Sequence, residues 1–214
     1  MEFNLDSGTF SVFVKTVSIN AGKMMDSLIN AYNNVLHLHP GDAKKVYIDI
    51  GDNLRNKGHY EGAIKAYKKV LDLNPADVKA LAEIGKTYLK IGMPNEAIES
   101  LMRATNLDRS NGQAYYHLGS AFFMIDDSAK AQWALHEAIK LNPGFADAYY
   151  KLGLVYDGIS DYDNAIEAYK KTISIDPNFI KAYQSIGLSY EGRGQREEAV
   201  KYFKKALEKE EKSI

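Results

Sequence analysis

ADAYYKLGLVYDGISDYDNAIEAYKKTISIDPNF, residues 146–179, decides how the rest of the chain is read. Its first half carries Tyr149, Leu152, Gly153 and Tyr156, its second half Ala165 and Tyr169, and Pro177 stands near its end. The same positions return 34 residues later as Tyr183, Ile186, Gly187, Tyr190, Ala199 and Phe203. Earlier copies give Tyr115, Leu118, Gly119, Phe122, Ala131, Leu135 and Pro143, then Leu81, Ile84, Gly85, Tyr88, Ala97 and Leu101. The first copy has Tyr47, Ile50, Gly51, Leu54, Ala63, Tyr67 and Pro75. Five copies in constant register, without insertion or deletion, make this a repeat protein.

A period of 34 residues with this order of large residue, aliphatic, Gly, aromatic, Ala and Pro resembles the tetratricopeptide repeat over residues 44–213. The first-half positions fall at i, i+3 and i+7, one face of a helix. Gly and Ala leave room where paired helices cross, and Pro ends the unit because it cannot continue a hydrogen-bonded helix. The fold class expected is all-α, a right-handed α-solenoid of about 12 helices paired as hairpins. The repeats would be 44–77, 78–111, 112–145, 146–179 and 180–213, preceded by an N-terminal helical region, 1–43. Gly58, Gly92 and Gly194 fill the turn within a repeat, where Asp126 and Ser160 stand in the third and fourth copies. A left-handed turn suits Asp moderately and Ser poorly, so those two turns are expected to be less regular.

Residues 9–21 fit a helical stripe through Phe10, Phe13, Val14 and Val17; Val12 and Val14 would also suit a strand, but a strand would have no partner elsewhere in the chain, so a helix is expected. Residues 22–38 carry Met25, Leu28, Tyr32, Val35 and Leu36 on one stripe, and MDSLINAYNNVLHLHP aligns with YEGAIKAYKKVLDLNP at 60–75. Leu28 replaces the small Ala, which marks a degenerate sixth unit. In the last helix Ala199, Val200, Phe203, Ala206 and Leu207 are expected to face inward under a charged outer face.

Composition narrows the function classes. The 214 residues are 45% hydrophobic with formal net charge −1, enough for a core and short of the basic excess that phosphate binding favours. No nucleic-acid partner is expected. Without cysteines there are no disulfides or thiolate metal sites. No apolar run approaches the roughly 18–20 residues of a membrane span, and MEFNLDSGTF lacks a cleavable signal pattern. A cytoplasmic protein, free or peripheral on a membrane, is expected.

No catalytic set emerges, and neither a cofactor nor a metal is expected. ALAEIGKT, residues 80–87, mimics a relaxed phosphate loop, but it lies inside a helix and Gly85 is the repeat's packing glycine. His37, His39, His59, His117 and His136 lack ligand spacing, and the acidic pairs Asp126-Asp127 and Glu197-Glu198 suit helix starts. The chain reads as a binding protein, not an enzyme. The non-core positions of the first helices would line a concave face, grading from basic Arg55, Lys86 and Lys90 through aromatic Tyr116, Phe123 and Tyr150 to acidic Asp157. Exposed aromatics there point to a docked peptide or helix, against the plainer reading that they thicken helix contacts. Clamping of a chaperone's C-terminal carboxylate is not expected, because Ile48, Asp52, Lys86, Tyr116 and Ser120 fill the positions where that clamp needs Lys, Asn and Arg.

Over FVKTVSINAGKMMDSLINAY, KKVYIDIGDNLRNKGHYEGAI and IGLSYEGRGQREEAVKYFKKA the chain resembles the magnetosome-associated tetratricopeptide-repeat family. That resemblance implies a hook-shaped scaffold that coats the cytoplasmic face of the magnetosome membrane and supports magnetite formation. It also implies homo-oligomers, with the N-terminal repeat docked in a neighbour's groove, here through Met24, Met25, Leu28 and Tyr32. Other magnetosome proteins are the implied partners, and the lack of a polybasic cluster favours membrane contact through a protein receptor. The alternative is a monomeric adaptor that binds a partner peptide in the same groove.

Overall fold

The structure, a computed structural model, describes residues 40–211, all of whose regular elements are helices. They are α1 (Pro40–Asn56), α2 (Tyr60–Leu73), α3 (Val78–Lys90), α4 (Pro94–Leu107) and α5 (Gly112–Met124). There follow α6 (Ser128–Leu141), α7 (Ala146–Gly158), α8 (Tyr162–Ile175), α9 (Ile180–Gly192) and α10 (Arg196–Glu211). These ten form five hairpins in sequence order, and the expected helices at 9–21 and 22–38 lie outside the described residues. The chain divides into two compact units, residues 1–107 and 108–214.

What closes each hairpin is the repeat glycine. A Cβ on Gly51 would sit 2.3 Å from the Tyr67 ring, and on Gly153 2.3 Å from the Tyr169 ring. Gly85 and Gly187 stand in the same relation to Leu101 and Phe203, at 2.4 Å, and Gly119 to Leu135 at 2.7 Å. One large side chain from each second helix therefore fills the space that a missing side chain opens on the first, which is why both positions recur with the period. Tyr67, Leu101, Leu135 and Tyr169 are fully buried, as are the crossing alanines Ala63, Ala97, Ala131 and Ala165.

Within each hairpin the chain turns through one left-handed residue. Gly58, Gly92 and Gly194 have φ of 79°, 73° and 76°, and Asp126 and Ser160 take φ of 58° and 60°. The expected irregularity at Asp126 and Ser160 does not occur. Asp127 N donates to Phe122 O at 3.0 Å and Asp161 N to Tyr156 O at 2.9 Å, as Met93 N does to Tyr88 O at 3.0 Å. The hydrogen bonds and the packing glycine hold the geometry, so Asp126 and Ser160 adopt it at a conformational cost.

Starts of helices divide into two kinds. Asp77, Asn111, Asp127 and Asp161 accept the amide three residues ahead, capping α3, α5, α6 and α8. Phe145 and Phe179 hold the cap position of α7 and α9 without a side-chain bond. In α10, Ala199 and Ala206 are buried, but Val200 and Leu207 are 49% and 58% exposed. The inward placement expected for those two is thus corrected. The equivalent Ile166 is only 4% exposed because α9 covers it, and no helix follows α10 among the described residues.

Candidate functional site: the first-helix surfaces of the two units

In unit 1 the expected basic end is internally paired. Arg55, in the last turn of α1, forms an ion pair with Glu83 of α3 and another with Asp52 at 3.3 Å. Lys86 Nζ stands 3.5 Å from Glu83. Tyr67, buried in α2, donates its hydroxyl to Asp52 Oδ1 at 2.7 Å. Burial first, then the hydrogen bond to the Asp52 carboxylate, pushes the Tyr67 hydroxyl above the usual tyrosine range, so it stays protonated. Arg55 and Lys86 balance Asp52 and Glu83, and Lys90 stays exposed at the end of α3. Arg55 is thereby a brace between two repeats, not a free groove cation. Asp52 lies one helical turn before it and was visible in the sequence, whereas Glu83 becomes a neighbour only by folding.

A second brace ties α1 to the cap of α3. Lys44 Nζ lies 2.6 Å from Asp77 Oδ2, while Asp77 Oδ1 accepts the Ala80 amide at 2.9 Å. Burial alone would raise this carboxyl; the bonds from Lys44 and Ala80 outweigh it and hold the group below the ordinary carboxylate range.

In unit 2 the aromatic row is half-buried, a correction to the exposed placement expected of it. Tyr116 of α5 packs on Phe145, ring centroids 4.9 Å apart, and Tyr150 of α7 packs on Phe179 at 4.8 Å and Tyr169 at 5.5 Å. Phe145 and Phe179 stand where α3 and α5 have the polar caps Asp77 and Asn111, so α7 and α9 start on a residue in ring contact and without a side-chain cap bond. Phe123 lies under Lys151 Nζ, 5.4 Å from its centroid. Burial lowers the Lys151 ammonium below the usual lysine value, against the pull of Asp147. Burial likewise raises the Tyr116 hydroxyl, with Asp147 adding to it. The α5 helix, GQAYYHLGSAFFM, carries no Asp, Glu, Lys or Arg.

Asp157 closes the row at the end of α7. Its Oδ2 accepts the Tyr169 hydroxyl at 2.6 Å and its Oδ1 the Ser189 hydroxyl at 2.8 Å. Tyr116, Phe123, Tyr150 and Asp157 therefore share one unit, and Arg55, Lys86 and Lys90 the other. Met24, Met25, Leu28 and Tyr32 lie outside the described residues. Sequence reading missed the partners of Asp157. The available signal was Tyr169 at the position where Tyr67 also stands, together with Ser189 in the next repeat.

Chemically, these surfaces offer aromatic faces, a few oriented charges and no clustered acid, base and nucleophile. That is the composition of a surface that binds polypeptide. No helix among the described residues is long and apolar enough to cross a membrane.

Comparison with known proteins agrees. Tetratricopeptide-repeat family models match residues 51–92, 78–111, 146–179 and 180–211. A crystal structure of MamA is 63% identical, with a TM-score of 0.73, over 77% of this chain and 96% of that one. A MamA structure from Desulfovibrio magneticus RS-1 is 27% identical with a TM-score of 0.75, over 81% of this chain and 98% of that one. The BBSome complex member BBS4 of Bos taurus is 32% identical over 75 residues, 35% of this chain and only 14% of BBS4. With near-complete coverage of a MamA structure at this identity, the chain belongs to the MamA family of tetratricopeptide-repeat interaction scaffolds.

Proposed function

We propose that this scaffold assembles from copies of itself on the cytoplasmic face of the magnetosome membrane and supports magnetite formation there. The N-terminal stripe of Met24, Met25, Leu28 and Tyr32 would dock on the first-helix surface of the next copy. What carries this reading is the uncharged, aromatic-rich α5 beside the Tyr150–Phe179 pair of α7. An apolar helix would meet on α5 a surface with no Asp, Glu, Lys or Arg to desolvate. Leu28 supports it further, because it stands where every later repeat has the small Ala that lets paired helices cross closely. A stripe on one end that fits a surface elsewhere makes a heterologous contact, which builds rings or open polymers. Membrane attachment would run through a protein receptor and other magnetosome proteins.

Light scattering behind gel filtration tests this on the full chain and on the double variant Met25→Asp/Leu28→Asp. The native chain should run as a large assembly and the variant as a monomer with unchanged helical circular dichroism. A native chain that stays monomeric over the whole concentration range contradicts the proposal.

A further inference from the structure

Two repeats place a tyrosine at the same position, Tyr67 in α2 and Tyr169 in α8, and both rings are fully buried. Each hydroxyl ends on a carboxylate of its own hairpin's first helix, Asp52 at 2.7 Å and Asp157 at 2.6 Å. The two sites differ in what answers the charge. At Asp52 the answer is Arg55, which also pairs with Glu83. At Asp157 it is a second hydroxyl, that of Ser189, a residue only 1% exposed. Ser189 Oγ also lies 2.9 Å from Ser185 O, and its one proton favours the charged acceptor. No lysine or arginine among the described residues forms an ion pair with Asp157.

Asp157 is thus a half-buried carboxylate, aimed by two buried hydroxyls and left without a counter-charge. Hydroxyl donors orient an anion but do not neutralise it. The Tyr169 hydroxyl is driven well above the ordinary tyrosine range by burial and by its bond to Asp157, so it keeps its proton. Each carboxylate oxygen has one further lone-pair direction to offer. Apolar surface lies alongside. Tyr150 and Leu154 pack on the cluster that holds Tyr169, and Leu188, next to Ser189, is 59% exposed. A side chain with an apolar stem and a forked cationic head suits both features. Metal binding fits poorly, because no group of three or more acidic or histidine ligands occurs among the described residues.

We infer that Asp157 is the receptor for an arginine of a partner peptide laid along the first helices of unit 2, its guanidinium serving there as Arg55 serves in unit 1. The inference rests on reading the first-helix surface as the binding face. Arginine is favoured over lysine because a planar fork can engage both carboxylate oxygens, as a point charge cannot.

The test is fluorescence polarisation of a labelled peptide, Ser-Leu-Leu-Arg-Leu-Ser amide, against the full chain. The same peptide with citrulline for arginine keeps the shape and loses the charge. The arginine peptide should bind at least about fivefold more tightly than the citrulline peptide. Asp157→Asn should erase that difference. Ser189→Ala, which removes one orienting hydroxyl and keeps the charge, should reduce the preference by a smaller factor. Equal binding of the two peptides to the native chain overturns the inference, and this arm stands even if Asp157→Asn fails to fold. Repeating the titration on Met25→Asp/Leu28→Asp separates this inference from the self-assembly reading. Tighter arginine binding by that variant supports both, since the neighbour's stripe no longer competes. Equal affinity with the arginine preference intact contradicts self-assembly alone.

Discussion

Ser160 turns its hairpin at φ 60° with a side chain that gains nothing from that conformation. Ser160→Gly should therefore raise stability by about 0.5–1 kcal/mol in urea melts, the relieved strain exceeding the extra freedom of glycine in the unfolded chain. No gain would mean that the turn is less strained than its φ implies. Gly153 is the opposite case. A Cβ there would meet the Tyr169 ring at 2.3 Å, with Asp157 holding that ring's hydroxyl, so Gly153→Ala should cost about 1–3 kcal/mol. Retention of the native midpoint in the same melts would contradict the close-approach account. Asp77 carries a pH dependence. Its carboxyl is depressed in the folded chain, so its stabilisation is present above the unfolded value of about 4 and is lost as pH falls through the lower folded value. Asp77→Asn should thus flatten the acid limb of a pH–stability profile and change little in the slope near neutrality. The residue scale was only partly legible in the sequence. The period exposed Gly153 and the turn position, but spacing could not show that Asp126 and Ser160 would copy the glycine geometry. Their turns are enforced by neighbours, not by propensity.

A helix in this chain is stabilised by what stacks on it. Ile166 of α8 is buried by α9, whereas Val200, at the same repeat position in α10, is half exposed. Ile166→Ala should cost about 2–4 kcal/mol, and Val200→Ala about 0.5 kcal/mol or less, by chemical denaturation. Similar losses at both positions would mean that something covers α10. The contrast explains why the inward placement expected for Val200 and Leu207 does not hold. Periodicity assigns a residue to a face, but burial of that face depends on the next repeat. The aromatic row of unit 2 teaches the same lesson from the other side. Tyr116 and Tyr150 stand at non-core positions, yet Phe145 and Phe179 cover them because those phenylalanines replace the polar caps found at Asp77 and Asn111. The plainer reading describes these rings: they thicken helix contacts, and they keep a partly open aromatic edge.

Across the whole molecule, fold class was the most legible property because it is written five times in the same register. The charge gradient along the first helices was less so. Its basic end is largely consumed by Asp52 and Glu83, whereas Asp157 in unit 2 meets hydroxyls and no cation. Family membership makes the chain an interaction scaffold, and head-to-tail self-assembly is the central claim built on it. Two assembly-blocked variants test that claim most directly: Met25→Asp/Leu28→Asp, which removes the stripe, and Phe123→Asp, which charges the surface meant to receive it. Each alone should be a monomer by light scattering. Mixed in equal amounts, one still supplies a stripe and the other a surface, so the account predicts a species with the mass of two chains and nothing larger. A mixture that remains monomeric, or variants that each still assemble alone, would contradict it.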